Sequence, residues 1–176
     1  ITPNQITTVR LITGVSAALF FAMGEDSYTT MGAGVFILSL LLDRADGVLA
    51  RLTGKMSIGG HKYDLIADAV SNALAFIGIG VGLRHSQLGD LAISLGFLAG
   101  LAVTTVFFFV TRVETRKGSR AAEIKSPAGF DPDDAMLLVP VAMILGFKNE
   151  LIIAAAIGAP IFAIFFFFKF RHLLRP

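Results

Sequence analysis

Residues 43–68 run Asp43-Arg44-Ala45-Asp46-Gly47-Val48-Leu49-Ala50-Arg51, then eight residues, then Gly60-His61-Lys62-Tyr63-Asp64-Leu65-Ile66-Ala67-Asp68. This stretch decides the fold, because its four aspartates stand inside sequence that otherwise reads as membrane helix. On a helix Asp43, Asp46, Gly47 and Ala50 fall at i, i+3, i+4 and i+7, and Gly60, Asp64 and Asp68 are each four apart, so each set forms one stripe. The spacing predicts two carboxylate stripes that face each other across one helical hairpin.

Such stripes need compensation. An aspartate near the centre of a membrane helix costs about 2.5–3.5 kcal/mol, so four of them forgo roughly 10–14 kcal/mol, and less where they sit near the interface. A divalent cation suits the donor set, because carboxylate oxygens are the preferred ligands of hard ions such as Mg2+, which keeps some water and borrows phosphate oxygens from a substrate. The stripes therefore predict a metal and a phosphate together. Taken alone, paired intramembrane carboxylates also suit a proton or cation pathway in a transporter, and the small residues also suit close helix packing.

The surrounding composition agrees with a membrane protein. Of 176 residues 55% are hydrophobic and 16% charged, and the mean hydropathy is +0.74, a balance foreign to a soluble domain of this length. No internal repeat or low-complexity linker divides the chain, so residues 1–176 read as one domain. The net charge of +2 does not signal nucleic acid, since no basic patch is interleaved with aromatics. Cysteine is absent, which rules out disulfides and thiolate metal sites. Tryptophan is absent too, and 16 phenylalanines supply the lipid-facing bulk.

Working outward from the motif, the expected fold is all-α and integral to the membrane, with six transmembrane helices preceded by a short interfacial helix. Residues 1–10 are the interfacial segment, with Pro3 suited to a first turn and Thr2 or Asn4 to a cap. The apolar run from Leu11 to Met23 is the first span; a cleaved signal peptide would need a basic region and a small-residue cleavage site, neither of which is clear. Helices are expected near Tyr28–Arg51, Gly59–Gly82, Leu91–Val110, Ala135–Phe147 and Leu151–Phe168, with a polar connection from Arg112 to Asp134. If the motif faces the cytoplasm, thirteen of the fifteen Lys and Arg residues fall on that side, and only Arg84 and Lys148 on the other. This agrees with the positive-inside rule and places both termini and the motif on the cytoplasmic face of the cell's inner membrane.

The complete spacing D-x2-D-G-x2-A-R-x8-G-x3-D-x3-D resembles the signature of the CDP-alcohol phosphotransferase family, membrane enzymes of phospholipid synthesis; the opening Thr2-Pro3-Asn4 is similar as well. No motif position departs from that pattern. The resemblance implies transfer of a phosphoalcohol group, most simply phosphatidyl from CDP-diacylglycerol, to an acceptor hydroxyl with release of CMP. The alternative within the family is transfer from a soluble CDP-aminoalcohol to a lipid alcohol. The rivals outside it are a cation transporter and a lipid-binding scaffold. It also implies a homodimer and a Mg2+ or Mn2+ cofactor, two ions being the number that clamps attacking and leaving oxygens in many phosphoryl-transfer sites. By position, Asp43, Asp46, Asp64 and Asp68 would be metal ligands, and Asp68 also the general base. Asp46, Gly47, Ala50, Arg51, Gly60 and Asp64 would receive the CDP group, with Arg51 a fixed cation for phosphate.

Other residues carry weaker signals. Arg112 and Arg116 are expected to bind a phosphorylated acceptor; the resemblance adds weight to Arg112 and Glu114, while the acidic run Asp131-Pro132-Asp133-Asp134 would suit a cationic acceptor instead. The basic residues of this segment also suit contact with anionic lipid headgroups. His61 is expected to be solvated. Ser71 and Asn72, one turn beyond Asp68, are expected to hold helices together. Phe107–Phe109 and Phe165–Phe168 are expected to face lipid.

Overall fold

The structure is a computed structural model that describes residues 2–53, 57–117 and 136–174. Helix α1 spans Pro3–Met23, α2 Asp26–Thr53, α3 Ile58–Gly82, α4 Asp90–Lys117, α5 Leu138–Ile144 and α6 Lys148–Leu174, with a 3-10 turn at Leu83–His85 between α3 and α4. The described residues form no strand.

The first helix departs from expectation in a way that matters for the site. Among the described residues, 3–10 do not form a separate interfacial helix: α1 runs unbroken for 21 residues from Pro3. Thr2 starts it in an extended conformation, its N–H donating to Gln5 Oε1 at 2.8 Å, and Pro3 takes the first helical position, where no backbone donor is needed. Its buried face is Thr7, Arg10, Gly14, Ala17, Ala18 and Phe21, in steps of one, three and four. The polar first turns are thus part of the packed helix. At the other end Gly24 adopts φ +82°, the left-handed cap that favours glycine, and a methyl there would also fall 2.5 Å from the carbonyl oxygen of Gly82.

Helix α1 lies between α2 and α3, packing against both, while among the described residues α2 and α3 scarcely meet. The motif therefore does not close as a simple hairpin. Small residues set these distances: methyl groups at Gly78 and Gly82 would strike the backbone of Ala18 and Phe21 on α1, and one at Gly80 would lie 2.5 Å from the carbonyl of Ala92 on α4. Helix α4 then packs on α6, and α5 on α2. Phe21, Phe36, Phe76, Ile79, Met143 and Ile152 fill the centre. At one end of the bundle, Lys148 Nζ joins Asp26 Oδ1 at 2.6 Å and Thr29 Oγ1 at 3.2 Å.

Four of the described helices, α1, α3, α4 and α6, are long and apolar enough to cross a membrane, with large apolar side chains such as Leu19, Leu101, Ile161 and Phe168 on the outer surface. The chain is an all-helical integral membrane protein. The expected six crossings are not all matched: α2 has the length, at 28 residues, but its second half carries the charged motif, and α5 has only seven residues. Helix α4 continues to Lys117, so Arg112 and Arg116 belong to a helix and not to a connection. The phenylalanine runs are not wholly lipid-facing. Phe166 is 1% exposed and stacks with Phe109 at 6.5 Å, and these two close a second cluster with Val113, Phe162 and Phe170 that joins α4 to α6.

Candidate active site

The start of α1, the end of α2 and the start of α3 meet at one end of the bundle. Ser57 caps α3 there, its Oγ accepting from the Gly60 N–H at 2.9 Å. Asp43, Asp64 and Asp68 converge so that one carboxylate oxygen from each lies within 4.8 Å of the others. This is a donor set of hard oxygens at a spacing that suits a divalent cation of the Mg2+ or Mn2+ type.

Arg10 of α1 joins the three. Its Nη1 lies 2.8 Å from Asp43 Oδ1 and 2.7 Å from Asp64 Oδ1, and its Nη2 pairs with Asp68 Oδ1. One guanidinium thus bridges carboxylates from α2 and α3, as its planar fork of donors permits. The backbone carbonyl of Arg10 accepts two hydroxyl hydrogen bonds, from Thr13 at 2.8 Å and from Ser39 of α2 at 3.0 Å.

Asp46, the fourth aspartate, stands apart from this triad. It is 3% exposed, and its Oδ2 accepts from Thr7 Oγ1 at 2.8 Å. The other motif positions divide. Gly47 is half-buried on α2; Ala50 and Arg51 lie on α2 with side chains outside the described residues. Among the described residues a methyl on Gly60 would meet Ser57 Oγ at 3.0 Å and Asn4 Oδ1 at 3.1 Å, which are side-chain ends and not the backbone of another helix. Tyr63 shares an exposed hydrogen bond of 2.9 Å with Thr8.

An open, largely apolar surface depression of about 580 Å3 is lined by Ile6 on α1 and by Leu41, Arg44, Val48, Leu49 and Leu52 on a face of α2 that carries none of the acids. One layer inward, Ser71 and Asn72 are buried, as expected of residues that hold helices together, and Ser71 Oγ lies against Gly14 without a hydrogen-bond partner. His61 is exposed, as expected. Arg112 is exposed with its guanidinium 5.6 Å from the Phe108 ring centre. The side chains of Glu114 and Arg116, and the whole of residues 118–135 with the acidic run, lie outside the described residues.

Sequence reasoning missed Thr7, Arg10 and Ser39. The signal was present in the buried stripe of α1: a lone arginine three residues from Thr7 and four from Gly14 has no place on an apolar helix face unless acids meet it.

The three acids thus form a candidate divalent-cation site at one end of a bundle of membrane-spanning helices. The chain belongs to the CDP-alcohol phosphatidyltransferase family, which it matches over residues 1–164. It is also similar to the archaetidylinositol phosphate synthase of Pyrococcus horikoshii, at 37% identity over 84 residues, covering 47% of this chain and 42% of that relative.

Proposed function

We propose that this protein is a phospholipid-synthesis enzyme that transfers a phosphatidyl group from CDP-diacylglycerol to an acceptor hydroxyl, releasing CMP. The observation that carries this reading is the convergence of one carboxylate oxygen each from Asp43, Asp64 and Asp68 within 4.8 Å in a bundle of membrane-spanning helices. The acids suit the metal that the pyrophosphate of a CDP-linked donor requires.

Asp43, Asp46, Asp64 and Asp68 hold the divalent cations, Mg2+ or Mn2+ and two in number, with the Thr7 hydroxyl orienting Asp46. When bound, these ions neutralise the pyrophosphate and lower the cost of charge on the attacking and leaving oxygens. The cytidine and its phosphates lie along Asp46, Gly47, Ala50, Arg51, Gly60 and Asp64. Gly60 leaves room for the nucleotide, and Arg51 contacts phosphate. Asp68 takes the proton of the acceptor hydroxyl as its oxygen attacks the phosphorus of the phosphatidyl group. The bond from that phosphorus to the bridging oxygen breaks, and CMP departs with the electron pair.

The acceptor is a phosphorylated polyol held by Arg112 and Arg116. The name of the Pyrococcus relative, an archaetidylinositol phosphate synthase, supports that class. We read residues 1–176 as one domain with six crossings of the inner membrane and the site on the cytoplasmic face, and the protein as a homodimer. The test is CMP release from CDP-diacylglycerol by purified protein in vesicles, with and without Mg2+ or Mn2+, across inositol phosphate, glycerol phosphate and amino alcohols. Metal-dependent release with a phosphorylated polyol is expected. No release with any acceptor, together with cation flux through the same vesicles, would overturn the assignment.

A further inference from the structure

The acid cluster raises a question of assembly that its own residues do not answer. Asp43 is on α2, Asp64 and Asp68 are on α3, and among the described residues these two helices scarcely pack together. Like charges on separate helices repel, so something other than the cation must hold their oxygens close before the cation arrives. Arg10, on the helix between them, touches all three.

Burial shows which side of the cluster Arg10 occupies. Its side chain is 3% exposed, against 28% for Asp43, 30% for Asp64 and 20% for Asp68. The guanidinium lies beneath the carboxylates, towards the bundle interior. It pairs with each of the three through Oδ1, and the carboxylates lie on its more exposed side, from which a cation would approach. Its backbone carbonyl accepts from Ser39 and Thr13, so the base of the side chain is held on α1 while the guanidinium is paired.

We propose that Arg10 is the positioning residue of the metal site: its guanidinium fixes Asp43, Asp64 and Asp68 from below and preforms the ligand set, with Ser39 holding Arg10 in place. The inference rests on the reading that these aspartates bind the divalent cation. Partners that orient metal ligands from behind typically contribute about 10–100-fold in metal affinity. A single ammonium cannot replace the fork, because one nitrogen cannot reach three carboxylates in the same geometry.

The test measures Mn2+ affinity, by calorimetry and by the spin-resonance signal of free Mn2+, on the full chain in detergent micelles without substrate. Arg10→Met is expected to weaken Mn2+ binding by about 10-fold or more and Arg10→Lys to recover only part of the loss. Ser39→Ala, which alters no carboxylate contact, is expected to weaken binding severalfold while circular dichroism stays unchanged, so the idea remains open to refutation if the Arg10 variants fold poorly. Mn2+ binding by Arg10→Met as tight as wild type, or tighter, would overturn it and make Arg10 a competing cation that the metal displaces. Full recovery by Arg10→Lys would also overturn it, since charge alone would then suffice. Absence of Mn2+ binding by the wild type, with Asp43→Asn indistinguishable from it, would instead remove the metal reading on which the proposal stands.

Discussion

Thr7 and Thr8 are neighbours on α1 with opposite surroundings, which makes them a matched pair for testing how the site is held. Thr7 is 2% exposed and donates to Asp46, itself 3% exposed. Thr8 is exposed and shares an exposed hydrogen bond with the hydroxyl of half-buried Tyr63. Valine replaces either threonine with nearly the same shape and helix propensity, so the change is confined to one hydroxyl. Removing a donor from a buried carboxylate should cost about 1.5–3 kcal/mol, because water does not replace it. At about 2–4 °C per kcal/mol for a chain of this size, Thr7→Val should lower Tm by about 3–12 °C. Thr8→Val should change stability by about 0.5 kcal/mol or less, since water takes over the lost bond. The chain has no tryptophan and two tyrosines, so loss of helical circular dichroism in detergent micelles is the appropriate signal. Thr7→Ser should restore most of the loss. A Tm for Thr7→Val no lower than that for Thr8→Val would refute the claim that Asp46 depends on this hydroxyl.

Three further outcomes are expected. Asp68→Asn should reduce turnover by about 10²–10⁴-fold while leaving CDP-lipid binding measurable, and wild-type turnover would remove Asp68 as the base. Gly24→Ala should destabilise the protein by about 2–4 kcal/mol, through the left-handed backbone and the clash with the Gly82 carbonyl, in the same thermal assay. Replacing Arg112 and Arg116 with Gln should raise the acceptor KM roughly tenfold or more with little effect on the donor KM, whereas Asp133→Asn and Asp134→Asn should do little; the reverse pattern in steady-state kinetics would favour a cationic acceptor.

The motif was legible because its residues act through spacing on single helices. Asp43, Asp64 and Asp68 do converge, and α2 and α3 lie within two residues of their expected limits. What sequence could not supply was the helix between them. A hairpin is the simplest way to pair two adjacent helices, and only the close glycine contacts of α3 with α1, at Gly78 and Gly82, show why α1 takes that place. Reading residues 1–10 as an interfacial segment hid Thr7 and Arg10, because polarity near a terminus suggests solvent as readily as a buried charge partner. The phenylalanine runs, whose Phe108, Phe165, Phe167 and Phe168 are exposed as expected, were misread at Phe109 and Phe166 for a related reason. Composition shows an apolar residue without showing whether lipid or another helix covers it, and Phe166 and Phe109 are covered by each other's helices.

The position of α1 also sets an order of events during synthesis. Arg10 is synthesised with α1, ahead of Asp43 on α2, and Asp64 and Asp68 follow on α3. From the end of α3 to the end of α6 the ribosome still needs on the order of ten seconds at ordinary elongation rates. Throughout that interval a growing chain already contains every carboxylate of the cluster and the cation that offsets part of their charge. The acids need not wait in lipid for a countercharge from a later helix or for a metal from the cytosol. The nascent chain brings its own.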